Sequence, residues 1–318
     1  MRMLAVSTPT KTVDLIGAPT DVGAAHRGAS MGPEAMRVAG IQQTLTQFGV
    51  HVNDVGNLAG PPNPWLPPVD GYRHLPEVRA WNQAVHDAVY ESLAGGRLPI
   101  LLGGDHCLAI GSISAVARHC REQGLALRVL WLDAHADFNT MGTTPTGNIH
   151  GMPVAILRGK GPTELTSIGG RTPAIDPGTV RQIGIRSVDV DEKRLVHEDG
   201  MEVFDMRNID EHGMRKVMRK ALEGVDEGTH LHVSFDVDFL DPAIAPGVGT
   251  TVQGGPTYRE AQLVMEMIAD TGRLGSLDVM ELNPAKDHAN RTAEVATDLI
   301  DSMFGKSTLL RLKGTPAG

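Results

Sequence analysis

The stretch WLDAHADFN, residues 131–139, sets Asp133, His135 and Asp137 two residues apart directly after an apolar run. An extended chain sends alternate side chains to the same side, so this spacing predicts two carboxylates and an imidazole crowded onto one face. VSFDVDFLDP repeats the arrangement with Asp236 and Asp238, and in LLGGDHCLAIG a third apolar run ends with Asp105 and His106, after glycines that permit a tight turn or a close backbone approach. Taken singly, each acid also reads as a turn former or a helix N-cap. Taken together, Asp133, Asp137, Asp236 and Asp238 at one sheet edge would repel one another and resist ionisation unless cations sat between them. Four carboxylates and two neutral imidazoles match the charge of two divalent ions, which about 3.5–4 Å apart make a nucleophile from water near neutral pH. Oxygen-rich ligation without thiolate favours a hard ion such as Mn²⁺. Cys107, adjacent to His106, is expected to point away from the ligands.

These residues need a scaffold that gathers strand ends. Apolar runs recur at 12–18, 98–104, 127–134, 180–187, 230–238 and 275–282, with helix-like segments between them. Near-continuous apolarity predicts strands covered on both faces. After Pro76, residues Val78, Trp81, Val85, Val89 and Leu93 share one helical face, and TYRE at 257–260 reads as a capping box with Thr257 at the N-cap and Glu260 at N3. Alternating strands and helices imply a three-layer α/β sandwich: a largely parallel sheet with helices on both faces, whose ligands gather at the carboxyl ends of the strands. The chain reads as one domain over residues 1–318, with the Pro-rich AGPPNPWLPPVDG at 59–71 as a surface loop.

Composition narrows the partners. With 29 Lys and Arg against 38 Asp and Glu, the net charge of −9 argues against nucleic acid or an anionic membrane as the main partner. No apolar stretch is long enough to span a bilayer, and the first residues lack the apolar region of a secretory leader, so a soluble, cytoplasmic protein is expected. Two cysteines, Cys107 and Cys120, are too few for a disulfide framework and are expected to be reduced. GKS at 305–307 is not a phosphate loop, because Ile300 takes the place of its first glycine.

GGDH at 103–106, DAHADFN at 133–139 and SFDVDFLDP at 234–242 resemble the three metal-binding signatures of the ureohydrolase (arginase) family, and the likeness extends from residue 16 almost to the C-terminus. The resemblance implies an eight-stranded parallel sheet, a homotrimer or homohexamer, and hydrolysis of L-arginine to L-ornithine and urea by a hydroxide bridging two Mn²⁺ per chain. It implies that His106, Asp133, Asp137 and Asp236 hold one manganese and His135, Asp133, Asp236 and Asp238 the other. By the same likeness His150 in TGNIHGMP moves or donates protons, Asp137 bonds the nucleophile, and Glu281 in DVMELNP holds the guanidinium. Asn139, Thr146 and Asn148 are implied to face the α-carboxylate, Asp189 and Glu192 the α-amino group, and Thr250 the guanidinium end. Thr146 stands where arginases often have serine, which keeps the hydroxyl.

Three alternatives stay open at this stage. Another ureohydrolase, acting on agmatine or a guanidino acid, would differ at the end remote from the guanidinium. A deacetylase-like amidohydrolase would carry a single zinc, against which His106 and Asp238 speak. A non-catalytic relative would keep the fold without turnover. Outside the family pattern, His150 would be an ordinary loop histidine and Glu281 an internal ion-pair partner.

Overall fold

The structure is a computed structural model that describes residues 12–309. The opening stretch read for a secretory leader lies mostly outside the described residues. Eight strands, β1 (Thr12–Gly17), β2 (His51–Asn57), β3 (Leu98–Leu102), β4 (Ala126–Leu132), β5 (Val180–Ile185), β6 (Glu202–Asp205), β7 (Thr229–Asp236) and β8 (Leu274–Met280), form one sheet in the order β2-β1-β3-β8-β7-β4-β5-β6. Every neighbouring pair is parallel. All carboxyl ends therefore share one edge, where polar loops can meet.

Alternation along the strands sorts the core into two layers. Leu130, Leu132, Val233, Phe235 and Leu277 pack on one side with Val264, Ile268, Leu299 and Ile300 from the helices Tyr258–Thr271 and Arg291–Met303. Ile16 and Leu101 face the other side with Val78, Trp81, Val85 and Val89 from the helix Leu75–Ala94, and Val129 and Trp131 pack there on Ile113 from the helix Ala109–Gln123. The five residues expected on one helical face after Pro76 are all buried. The expected capping box forms: Thr257 Oγ1 accepts the Glu260 N–H at 3.3 Å, and Glu260 Oε2 accepts the Thr257 N–H at 2.9 Å. Among the described residues no helix is long and apolar enough to cross a membrane.

The two outer strands lie outside the six predicted apolar runs. β2 is HVNDVGN and largely exposed, and β6 has only four residues. An edge strand has one partner and needs little apolar cover, so its sequence resembles a loop. The central strands depart from pure apolarity in a different way. β7 is wholly buried yet carries His230, His232 and Ser234 on one face, where His232 Nδ1 and His230 Nε2 each bond Ser276 Oγ, at 2.8 and 2.9 Å.

The glycines after β3 answer to close packing: a Cβ on Gly104 would stand 1.6 Å from the Thr20 carbonyl oxygen. That carbonyl accepts the Asp105 N–H at 3.1 Å, and the Gly104 carbonyl accepts the Glu281 N–H at 2.8 Å. Gly104→Ala should therefore force the backbone apart and lower stability by about 3 kcal/mol. The check is the thermal midpoint of the metal-free protein; an unchanged midpoint would show that the two segments do not touch.

Candidate metal centre and active site

Five contiguous strands, β3, β8, β7, β4 and β5, deliver the expected site residues at their carboxyl ends. The delivery is not by simple alternation. β4 stops at Leu132, the chain bends at Ala134, and Asp137 adopts φ 49°. This corrects the expectation that Asp133, His135 and Asp137 project together from an extended chain: Asp137 arrives by a left-handed turn that a non-glycine residue adopts only under strain. Asp238 likewise comes back through a short 3₁₀ turn after β7, capped by Asp236. Glu281, the first residue past β8, sits at φ 62°.

The turn-forming and ligating roles of the acids prove compatible. Asp236 Oδ1 accepts the Asp238 N–H at 2.7 Å while Oδ2 lies 2.9 Å from His106 Nδ1. Asp238 Oδ1 accepts the Ala134 N–H at 3.1 Å while Oδ2 lies 3.0 Å from His135 Nδ1. Asp133 Oδ1 accepts the His135 N–H at 2.6 Å, and its Oδ2 lies 3.1 Å from His106 Nδ1. One oxygen of each is pinned by backbone, which aims the other. Ligand-capable atoms of His106, Asp133 and Asp137 lie within 4.8 Å of one another, as do those of Asp133, His135 and Asp238. Asp133 belongs to both groups.

Two orienting residues were absent from the sequence reading. The Trp131 indole N–H donates to Asp133 Oδ2 at 2.9 Å, and its ring stacks on His106 with centroids 4.0 Å apart. Ser234 Oγ meets His106 Nε2 at 2.9 Å, leaving Nδ1 toward the carboxylates. Each precedes a ligand candidate by two residues in a strand, so the alternation that misled at Asp137 could have found both. Arg186 has no such signal; its guanidinium donates to the carbonyls of Asp238 at 2.8 Å and Val252 at 2.9 Å, bracing the loop after β7. Cys107 and Cys120 are free and buried, and Cys107 joins neither group.

The charges explain what the centre can hold. Burial, then the neighbouring carboxylates, push Asp137 and Asp236 well above the usual carboxylate range. Burial alone would lower His106, but the hydrogen bond and charge of Asp133 lift it to about 9. His135 is raised further by Asp238 and Asp133 against its burial. Asp133, despite burial, is held below the usual range by His106 and His135. In the chain alone, then, protonated imidazoles and retained protons balance buried acids, the role that divalent cations fill better. The donor set, carboxylate oxygens with two imidazole nitrogens, fits such ions.

A cavity of about 320 Å³ opens over this cluster, bordered by Asp137, His135, Asp238 and Glu281 on the inner side. Asn139, Thr146, Asn148, Asp189 and Thr250 border it as well. Asn139 Nδ2 donates to Asp189 Oδ2 at 3.0 Å, and Thr250 Oγ1 to Asp238 Oδ2 at 3.3 Å. Glu192 lines the wall, and its oxygens accept the N–H groups of Phe138 at 2.8 Å and Asp189 at 3.0 Å, tying those segments together. His150 Nδ1 lies 2.9 Å from Glu281 Oε1, which also accepts the His106 N–H at 2.9 Å. Against burial, Glu281 raises His150 and His150 lowers Glu281. A wider depression of about 750 Å³, lined by Arg27, Trp65 and Trp81, contains none of the expected site residues.

A ligating imidazole must be neutral and a ligating carboxylate ionised. Metal binding should therefore expel the protons held by His106, His135, Asp137 and Asp236, and affinity should fall as pH falls, with the His106 proton joining the competition below about 9. The expected loss is about tenfold per pH unit for each proton displaced. Calorimetry in two buffers of different ionisation enthalpy measures that release; pH-independent binding without proton release would contradict it. Trp131→Phe should keep the ring stack but lose the bond to Asp133, weakening metal affinity by about tenfold, readable by competition with a chelating dye.

The arginase family matches residues 11–305 of the chain. An arginase from Brucella melitensis is 46% identical over 299 residues, covering 93% of this chain and 97% of that protein. The crystal structure of arginase from Bacillus caldovelox superposes with a TM-score of 0.89 at 40% identity, covering 94% of this chain and 100% of that one. A hypothetical agmatinase from Burkholderia thailandensis gives a TM-score of 0.68 at 25% identity, over 92% of this chain and 85% of that one. With a buried His/Asp centre at the carboxyl edge of a parallel sheet and this likeness along nearly its whole length, the chain belongs to the arginase family.

Proposed function

We propose that the chain hydrolyses L-arginine to L-ornithine and urea with a pair of manganese ions. His106, Asp133, Asp137 and Asp236 would hold one ion, and His135, Asp133, Asp236 and Asp238 the other. The observation that carries this reading is the sharing of Asp133 by two His/Asp groups beneath a cavity bordered by amide and hydroxyl groups. When bound, the ions supply Lewis acidity and lower the pKa of water so that a nucleophile forms near neutral pH.

The chain's own groups do the rest. Glu281, kept ionised by His150, offers a buried carboxylate to the guanidinium. Asp137 accepts a hydrogen bond from the attacking water and takes up its proton. Cleaving the C–N bond requires a proton on the departing amine, and His150, held protonated by Glu281, is the donor or the shuttle for it. Asn139, Thr146 and Asn148 face the α-carboxylate, Asp189 the α-amino group, and Glu192 sets the position of Asp189. The amide and hydroxyl groups of that end suit an amino acid and find no carboxylate in agmatine, which keeps only the amine that Asp189 would hold. Thr250 keeps its hydroxyl on Asp238, at the guanidinium end.

The reading extends to a single domain, supported by the one sheet that supplies the whole site. It also takes in a cytoplasmic setting that keeps Cys107 and Cys120 reduced, and a homotrimer or homohexamer. Urea release from arginine and agmatine, measured side by side on manganese-loaded protein, tests the substrate; faster release from agmatine overturns it. His150→Ala should retain both ions by metal analysis yet lose about 100-fold or more in kcat. Unchanged turnover would remove His150 from proton transfer.

A further inference from the structure

The Pro-rich segment between β2 and the helix Leu75–Ala94 does more than cross the surface. Asn63 Nδ2 donates to the Asp21 carbonyl at 2.9 Å, and His74 Nδ1 bonds the Val22 carbonyl at 2.8 Å, so the segment is tied down at both ends. Between these anchors it docks on the loop that carries Thr146 and Asn148. The Arg73 N–H donates to the Gly147 carbonyl at 2.8 Å. Gly147 has φ 70°, and a Cβ there would stand 2.7 Å from Pro68 Cβ, so the loop and the segment approach within backbone contact.

The Arg73 side chain adds a directed bond. Its Nη1 donates to the Leu66 carbonyl at 3.0 Å, fixing the guanidinium on its own segment, and its Nε donates to Asn148 Oδ1 at 2.7 Å. A guanidinium has only donors. The carboxamide must therefore present its oxygen to Arg73, which turns its NH₂ group away from the guanidinium. Asn148 borders the cavity, as does Thr146, whose Oγ1 accepts the Asn148 N–H at 3.2 Å and so keeps its own hydrogen free to donate. Both groups are thereby set as donors, the arrangement that a carboxylate needs and an ammonium end, itself only a donor, does not.

We propose that Arg73 is a specificity-determining positioning residue, holding the Asn148 carboxamide with its donors toward the substrate's α-carboxylate. The inference rests on the reading of the chain as an arginine hydrolase. Arg73 touches no reacting atom, so its influence is on how the remote end is held. It favours the amino acid over the decarboxylated amine.

The test uses the manganese-loaded enzyme, with arginine as substrate and agmatine as competitor, so that agmatine binding is read whether or not it is turned over. Arg73→Ala should raise KM for arginine about tenfold, change kcat by less than about threefold and leave the Ki of agmatine unaltered. In an Asn148→Ala background the same substitution should have no further effect on KM. Should Arg73→Ala fail to fold, Arg73→Met keeps the aliphatic stem and gives the same reading. An unchanged KM, an equal weakening of arginine and agmatine, or a full effect persisting in Asn148→Ala would each overturn the proposal. Wild-type enzyme that prefers agmatine would instead sink the functional reading beneath it; a wild-type preference for arginine that Arg73 variants leave intact sinks the role of Arg73 alone.

Discussion

Four carboxylates, Asp133, Asp137, Asp236 and Asp238, are buried together at one edge of the sheet, and the rest of the molecule is arranged around that constraint. Such a cluster is unfavourable unless positive charge enters it. A parallel sheet makes the cluster geometrically possible, because its strand ends and their loops converge without the strands themselves having to turn. The structure stabilises it locally by giving Asp133, Asp236 and Asp238 a backbone N–H for one oxygen. The other oxygen is left with a fixed direction, so an entering cation meets ligands that need little reordering.

The same constraint accounts for the strained and the aromatic features. Asp137 and Glu281 hold left-handed backbone that costs free energy, and both are on the cavity wall. Trp131 fills the apolar layer under His106 and also donates to Asp133, so one side chain serves core packing and ligand orientation. Ser234 fixes His106 from the opposite nitrogen. Ligand direction is thus carried by buried strand residues, one of them part of a hydrophobic layer.

Electrostatics divides the cavity into two parts with different tasks. The inner part is acidic, with His150 and Glu281 paired so that each favours the other's charged form. The outer part is polar, built from amides and hydroxyls beside the Asp189 carboxylate, with orientations set by their neighbours: Asn139 by Asp189, Asn148 by Arg73. A cationic guanidinium and a zwitterionic amino-acid end are complementary to these two parts in turn.

Much of this was legible in the sequence, for reasons that differ from residue to residue. Apolar runs with helical segments between them, and acids placed just past those runs, pointed to an α/β sheet with a metal-holding edge, because that many buried carboxylates call for compensating positive charge. The family motifs extended the reading to the individual site residues. What tertiary structure alone decided was direction and partnership. The turn at Asp137 depends on packing around residues 133–139, and the outer strands β2 and β6 are strands because a neighbour supplies hydrogen bonds, not because of their composition. The pairing of His150 with Glu281 and of Arg73 with Asn148 joins residues 131 and 75 positions apart. Local spacing encodes which chemical groups are present; whether two of them lie within 3 Å is settled only when the whole chain closes around its core.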